Sequence, residues 1–484
     1  MTATRVPPDL DSRTVEDPRS LIELLRAAQR LGPTTGLDLG GRRAVLVTGA
    51  EQLRALLVDG DARFTKQSHR ARVLLGDGLI SASGERWKRQ RRRLQGYFTG
   101  VGLRRSLPHI TAAARRTADR WAALSTRADA TTDLGEDMRH YALDAIWRVL
   151  TGRELDPATA RRLAVLDEVV AALPTMGTDP ATDARLADRI AEIDEVAREV
   201  IATARAELRT GATDFPASPG SPTDPTDSAS GTPRGILHDL LDPALADGSG
   251  PYPEALVRDE LVTLVVAGYE TTATALTWLH LLLHAQPHWR AWALDSGPVG
   301  SPARGRALQA LVSETLRLYP PVWLLPRQAE SDGPLGPFDI EAGTRVLACP
   351  YLTQRDPERV PEPDAFDPAR FLGPDRPAHD THLPFGLGPR VCLGRQFALL
   401  EMEVLLEAVL PHYAAELRTP PPAPVFAATL HPHGPLPATI RPTTPSAPTT
   451  PSAPTTPSAP STPPAPSTPS APPAPSALTG GVPA

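Results

Sequence analysis

Four short stretches hold side chains whose types and spacing could do chemistry. PFGLGPRVCLG, residues 384–394, centres on Cys392. A thiolate there can hold a metal if it is shielded and hydrogen-bonded; otherwise it protonates or oxidises. Gly388 and Gly394 let the backbone approach a partner closely and aim amide N–H groups at the sulfur. Phe385 is placed to cover the sulfur, and Arg390 offers a fork suited to a carboxylate. AGYETT, residues 267–272, puts Glu270 and Thr271 inside an apolar run, where a charge is costly unless it is functional. Thr271 can bond back to its own helix carbonyls and open the helix locally. ETLR sets Glu314 and Arg317 at i, i+3 on one helix face, close enough for a charge-assisted pair. In GERWKRQRRR, residues 84–93, Trp87 and Arg91 stand at i, i+4 and share a face.

These residues need elements to position them, and the pattern predicts mostly helix. Apolar residues recur at helical spacing over 101–151 and 156–209. A long helix is expected from about Val257 to His284, apolar over most of its circumference and therefore buried, with Pro287 as its stop. Further helices are expected over 304–318 and 394–411, the second placing its N-terminal dipole near Cys392. VWLLPR, GPFDI and TRVLAC between them read as short strands, and a hairpin closes the body near Ile440.

The cysteine stretch matches Phe-x-x-Gly-x-Arg-x-Cys-x-Gly at Phe385, Gly388, Arg390, Cys392 and Gly394, and here the chain resembles the cytochrome P450 family. AGYETT agrees with the family's pattern at every position. Glu314 and Arg317 stand in the expected order, 78 residues before Cys392 at their start, and PDAFDPARF supplies Arg370. The resemblance covers roughly residues 20–440. It implies a mainly α fold with a minor β part, the family's triangular helical prism around a buried haem b. It implies Cys392 as the iron's thiolate ligand and metal-binding residue. Trp87, Arg91, Arg327 and Arg390 are implied as propionate partners, with Phe385, Gly388 and Gly394 around the sulfur. Glu270 is implied to carry protons and Thr271 to steady bound oxygen, with Gly268 making room for dioxygen. Glu314, Arg317 and Arg370 are implied to lock the cysteine loop. The segments implied to border the substrate are 68–82, 160–195, 260–271, 321–326 and 429–436. The reaction implied is insertion of one oxygen atom from O2 into an organic substrate, with electrons from a ferredoxin and its reductase.

Composition narrows the rest. The net charge of -6 argues against nucleic acid as the main partner. Cys349 and Cys392 are the only cysteines, too few for a disulfide framework or an iron–sulfur cluster. Cys349, in an apolar stretch, reads as packing. No apolar run in the first thirty residues is long enough for a signal peptide or membrane anchor, so a cytoplasmic, monomeric protein is expected. Lys88, Arg89, Arg92 and Arg93 read equally as a solvated face or as a docking site for an acidic electron carrier. Residues 1–20 read as an extension, 21–440 as the haem domain, 211–234 as a disordered loop, and 441–484 as a Pro/Ala/Ser/Thr-rich tail that cannot bury enough surface to order itself. Leu264, Ala267, Val322, Trp323 and Leu324 are expected to line an apolar substrate pocket without a charged anchor. The motif style resembles bacterial members that oxidise terpenoids or fatty chains, so a terpenoid, fatty-acid or polyketide-like substrate of secondary metabolism is expected. C–C coupling, nitration or peroxide-driven oxidation on the same fold, and a non-catalytic haem or lipophile binder, stay open as alternatives.

Overall fold

The computed structural model describes residues 6–10, 21–39, 41–66, 70–127, 129–172, 180–210, 234–242, 252–373, 376–378 and 381–443. The chain divides into Met1–Thr443 and Thr444–Ala484, and the described residues all belong to the first unit. The expected loop at 211–234, apart from Arg234, and the tail from residue 444 lie outside them.

The long helix runs from Glu254 to Ala285. It follows Pro253 and stops at Gln286, just before Pro287, which cannot continue it. Its apolar circumference demands neighbours on several sides, and Leu134–Thr151, Pro180–Thr210 and Pro302–Leu318 supply them. A single core therefore joins residues as distant as Leu74, Trp147, Leu276 and Leu406. Gly268 allows a close approach of Leu134–Thr151: a Cβ there would lie 2.9 Å from Ile146 Cγ1. Its small size serves helix packing.

Polar contacts fasten the first half of the long helix. Arg258 Nε donates to Asp194 Oδ1 at 2.8 Å, and its Nη1 donates to the Leu74 carbonyl at 2.8 Å. Asp259 and Glu260 accept from the backbone N–H groups of Asp77 and Leu79 at 2.8 and 3.0 Å. The segment before the helix Gly84–Leu94 is thereby pinned to the long helix.

The β part is larger than the sequence pattern suggested. Thr34–Asp38 and Arg43–Val47 form an antiparallel pair, and the latter runs parallel to Arg345–Ala348, with Val45 opposite Val346. Leu325–Ala329 and Phe64–Thr65 complete this five-stranded sheet. The parallel pairing joins segments some three hundred residues apart, so no local periodicity announces it. A second sheet orders Thr132–Asp133, Pro437–Pro442 and Tyr413–Leu417, and a short hairpin pairs Pro424–Phe426 with Leu430–Pro432.

Candidate active site

The cysteine loop lies between the turn Gly388–Arg390 and the helix Arg395–Val409. The Cys392 N–H donates to the Phe385 carbonyl at 2.9 Å, which closes the loop on itself. Gly388 has φ +77°, and a Cβ there would stand 2.1 Å from the Leu57 carbonyl oxygen. Its lack of a side chain therefore lets the loop seat on the helical turn Ala55–Asp59. Beside Gly394, by contrast, a Cβ would meet nothing within 4 Å, so that face of the loop is open. The Cys392 residue is accessible, yet burial in protein pushes its thiol up. Both hold if the sulfur opens onto an internal cleft. The Gly394 N–H, then the charges of Arg91, Lys66 and Arg395, act in the opposite direction but do not prevail. The Gly394 N–H at the helix start thus favours the thiolate, and burial is the larger influence.

Beneath the loop lies the ion pair expected from ETLR. Glu314 and Arg317 are both fully buried, with Nε–Oε2 and Nη2–Oε1 distances of 2.7 and 2.8 Å. Arg370 Nε reaches Glu314 Oε1 at 3.0 Å, and the Asp367 N–H donates to the same oxygen at 3.0 Å. Arg317 also donates to the carbonyls of Gln354, Pro363 and Ala365. Gln354, which no motif marked, extends the network: its Nε2 donates to Arg317 O at 2.9 Å, and its Oε1 accepts from Leu383 N–H at 2.7 Å. Every charge in this buried group has a partner, as burial requires.

Basic side chains from separate elements converge near Cys392. Trp87 is buried, with the Arg390 guanidinium 4.4 Å and the Arg91 guanidinium 5.6 Å from its ring centroid. Arg390 also donates to Asp61 Oδ1 at 3.2 Å and to the Ala82 carbonyl at 3.1 Å. Arg327 is buried, and burial, reinforced by Arg390, pushes its guanidinium down to about 10. Lys66, absent from every motif, joins them: burial, then Arg327 and Arg390, pushes its ammonium down to about 7. Asp61 is the carboxylate that answers this group among the described residues.

On the long helix, Leu264, Ala267 and Thr271 share a face at i, i+3, i+7. Thr271 Oγ1 donates to the Ala267 carbonyl at 2.8 Å, the back-bond expected of it. Glu270 Oε1 accepts from Thr429 Oγ1 at 2.8 Å. Burial pushes the Glu270 carboxyl up, while the Thr429 hydroxyl pulls it down. Tyr269 donates to Asp167.

The expected pocket residues separate. Leu264 belongs to the main core, and Val322 is partly exposed. Trp323 is buried in a second cluster with Ile22, Leu25, Leu352 and Leu430, and Leu324 packs against that cluster. Its indole N–H donates to the Ala427 carbonyl at 2.8 Å, as a buried indole requires. A surface groove of about 870 Å³, lined by Arg115, Glu403, Glu407 and Tyr413, contains none of the residues above.

The Cytochrome P450 family profile matches residues 20–291 and 306–435. The chain belongs to the cytochrome P450 family. Cyclooctatin synthase of Streptomyces melanosporofaciens is 28% identical over 81% of this chain and 84% of that protein. Putative cytochrome P450 137 of Mycobacterium tuberculosis is 31% identical over 70% of this chain and 67% of that protein. The crystal structure of CYP175A1 from Thermus thermophilus superposes with a TM-score of 0.69 at 29% identity, over 90% of this chain and all of that one. The fold is the P450 fold, mainly helical with smaller sheets, and the protein is a P450 monooxygenase. No helix among the described residues is long and apolar enough to cross a membrane.

The residues present fit the haem that a P450 implies. Among the described residues no group of three or more His, Cys, Asp or Glu could hold a bare metal ion. A metal at Cys392 must therefore bring most of its own ligands, as a porphyrin does. Lys66, Arg91, Arg327 and Arg390 outnumber Asp61, and a group carrying two carboxylates would balance them.

Proposed function

We propose that this P450 binds haem b through Cys392 and inserts one oxygen atom from O2 into an apolar small molecule, of terpenoid, fatty-acid or polyketide-like character. The observation that carries this reading is the open face beside Cys392, flanked by desolvated cations that outnumber their carboxylate partners. When bound, the haem supplies the activation of dioxygen and the oxidising power.

The chain's own residues do the remainder. Cys392 donates its sulfur as thiolate, its amide tied to Phe385 so that the loop cannot swing away. Arg91, Arg327, Arg390 and Lys66 hold the propionates, and Trp87 is the plate on which two of these guanidiniums rest. Glu314, Arg317 and Arg370 keep the loop at fixed height. Glu270 accepts a proton from the solvent side and passes it inward, because its burial brings the carboxyl closer to neutral pH than an exposed glutamate. Thr271 presents its oxygen at the Ala267 carbonyl. Leu264 and Ala267 give the long helix an apolar face that excludes water and accepts hydrocarbon. Electrons come from a ferredoxin and its reductase, at the face where Lys88, Arg89 and Arg92 are exposed.

The test is the absorption spectrum of the reduced, carbon-monoxide-bound protein. Thiolate ligation is expected in the natural chain and its loss in Cys392→Ala. An unchanged Soret band in that variant would refute the assignment. Ligands that shift the ferric spin state, followed by product analysis with a ferredoxin system, identify the substrate class.

A further inference from the structure

The long helix meets the hairpin turn Ala427–Leu430 at two polar contacts, through Glu270 and through Trp278. Thr429 Oγ1 donates to Glu270 Oε1 at 2.8 Å, and Thr429 is itself buried. The backbone on each side of Thr429 is held independently. The Trp323 indole N–H donates to Ala427 O at 2.8 Å, and the Trp278 indole N–H donates to Leu430 O at 3.0 Å. The Leu430 N–H donates to Pro321 O at 2.9 Å, and the Ala427 N–H to Thr429 O at 3.2 Å. Both indoles are fixed in turn: Trp278 stacks on Tyr319 with centroids 3.8 Å apart, and Trp323 meets Phe426 edge-on at 5.1 Å. A buried donor on so rigid a turn can select one rotamer of a flexible glutamate.

We propose that Thr429 is a positioning residue for the Glu270 carboxylate, holding it in one orientation and in its ionised form. This rests on reading Glu270 as the proton carrier. The other groups that face Glu270 are Asp167 on Val165–Ala172, which disfavours its charge, and His431 and Arg139, which favour it. Burial is the largest influence and also disfavours charge. Thr429 is the direct hydrogen-bond donor in that balance, so its loss leaves the acid protonated at higher pH and free to turn. Thr429 opens the segment 429–436 expected to border the substrate, so the orientation of the acid is coupled to that loop.

The experiment uses the full-length, haem-loaded protein and the variants Thr429→Val, Thr429→Ser and Glu270→Gln. Infrared difference spectra titrate the carboxyl band that disappears in Glu270→Gln. In Thr429→Val the midpoint is expected to rise by about one pH unit, and Thr429→Ser to restore it. An unchanged midpoint in the valine variant, or no recovery with serine, overturns the proposal. If the valine variant takes up no haem, Trp323→Phe replaces it: freeing Ala427 is expected to move the midpoint the same way, and no movement overturns the proposal. The pH profile of dioxygen-dependent NAD(P)H oxidation with a surrogate ferredoxin system separates the two readings. If Glu270→Gln leaves it unaltered, the proton-carrier reading falls and the positioning role falls with it. If Glu270→Gln alters the profile and Thr429→Val does not, only the positioning role falls.

Discussion

Lys66 shows how far neighbours can displace one side chain from its ordinary chemistry. Burial, then Arg327 and Arg390, pushes its ammonium from 10.5 down to about 7. Between those pH values the folded chain binds fewer protons at Lys66 than the unfolded chain. The residue's unfavourable contribution is therefore fully present below pH 7 and relieved as pH rises toward 10.5. Lys66→Met is expected to stabilise the haem-free protein by about 1–3 kcal/mol at pH 6, with the gain fading by pH 10. The same variant is expected to lose haem faster, because the propionates lose a cation. Urea unfolding at the two pH values and haem transfer to an acceptor protein check these. Equal stabilisation at both would mean that Lys66 is not displaced. Cys392 follows the same logic with opposite charge: burial disfavours its thiolate, and a bound metal is what reverses that preference.

At the scale of elements, the decisive contact is the cysteine loop on Ala55–Asp59. Gly388 combines φ +77° with a carbonyl that a Cβ would approach to 2.1 Å. Backbone oxygen cannot rotate aside as a side-chain end can. Gly388→Ala is expected to cost about 3 kcal/mol, the sum of left-handed strain and overpacking, and to lower haem content. Urea midpoints and the haem-to-protein absorbance ratio measure both, and a cost under about 0.5 kcal/mol, the range of an ordinary surface change, would show that the loop is seated some other way. The long helix offers the milder case. At Gly268 the nearest atoms belong to the Ile146 side chain, which can shift. The two glycines look alike in a motif, yet one faces backbone and the other a side chain.

At the scale of the whole molecule, charge is distributed unevenly along Gly84–Leu94. Trp87 and Gln90 are buried, while Lys88, Arg89 and Arg92 are exposed. Lys88 is paired with Glu85 at 2.7 Å, and Arg86 bonds Asp77, which weakens their share of any outward field. Arg89→Glu with Arg92→Glu is expected to slow reduction by an acidic ferredoxin about tenfold at low salt and to flatten its salt dependence. The carbon-monoxide spectrum should not change. Stopped-flow reduction at two ionic strengths checks this, and equal rates in both proteins would remove this face as the docking site.

The sequence by itself determined the residues whose relations are local. Glu314 with Arg317, Thr271 with Ala267, and the order Phe385, Gly388, Arg390, Cys392, Gly394 all follow from spacing along one element, where helix and turn geometry set what can meet. It also determined the long helix, because an all-round apolar run has no other soluble solution. Only the tertiary structure decided what depends on distant chain. Asp61 and Lys66, Arg91, Arg327 and Arg390 come from well-separated stretches, and no periodicity links them. The pairing of Arg43–Val47 with Arg345–Ala348, the buried role of Gln354, and the turning of Trp323 toward Ala427 were likewise illegible. The reason is physical: desolvation and hydrogen-bond partners are properties of the packed interior, and a side chain's neighbours there are chosen by the fold as a whole.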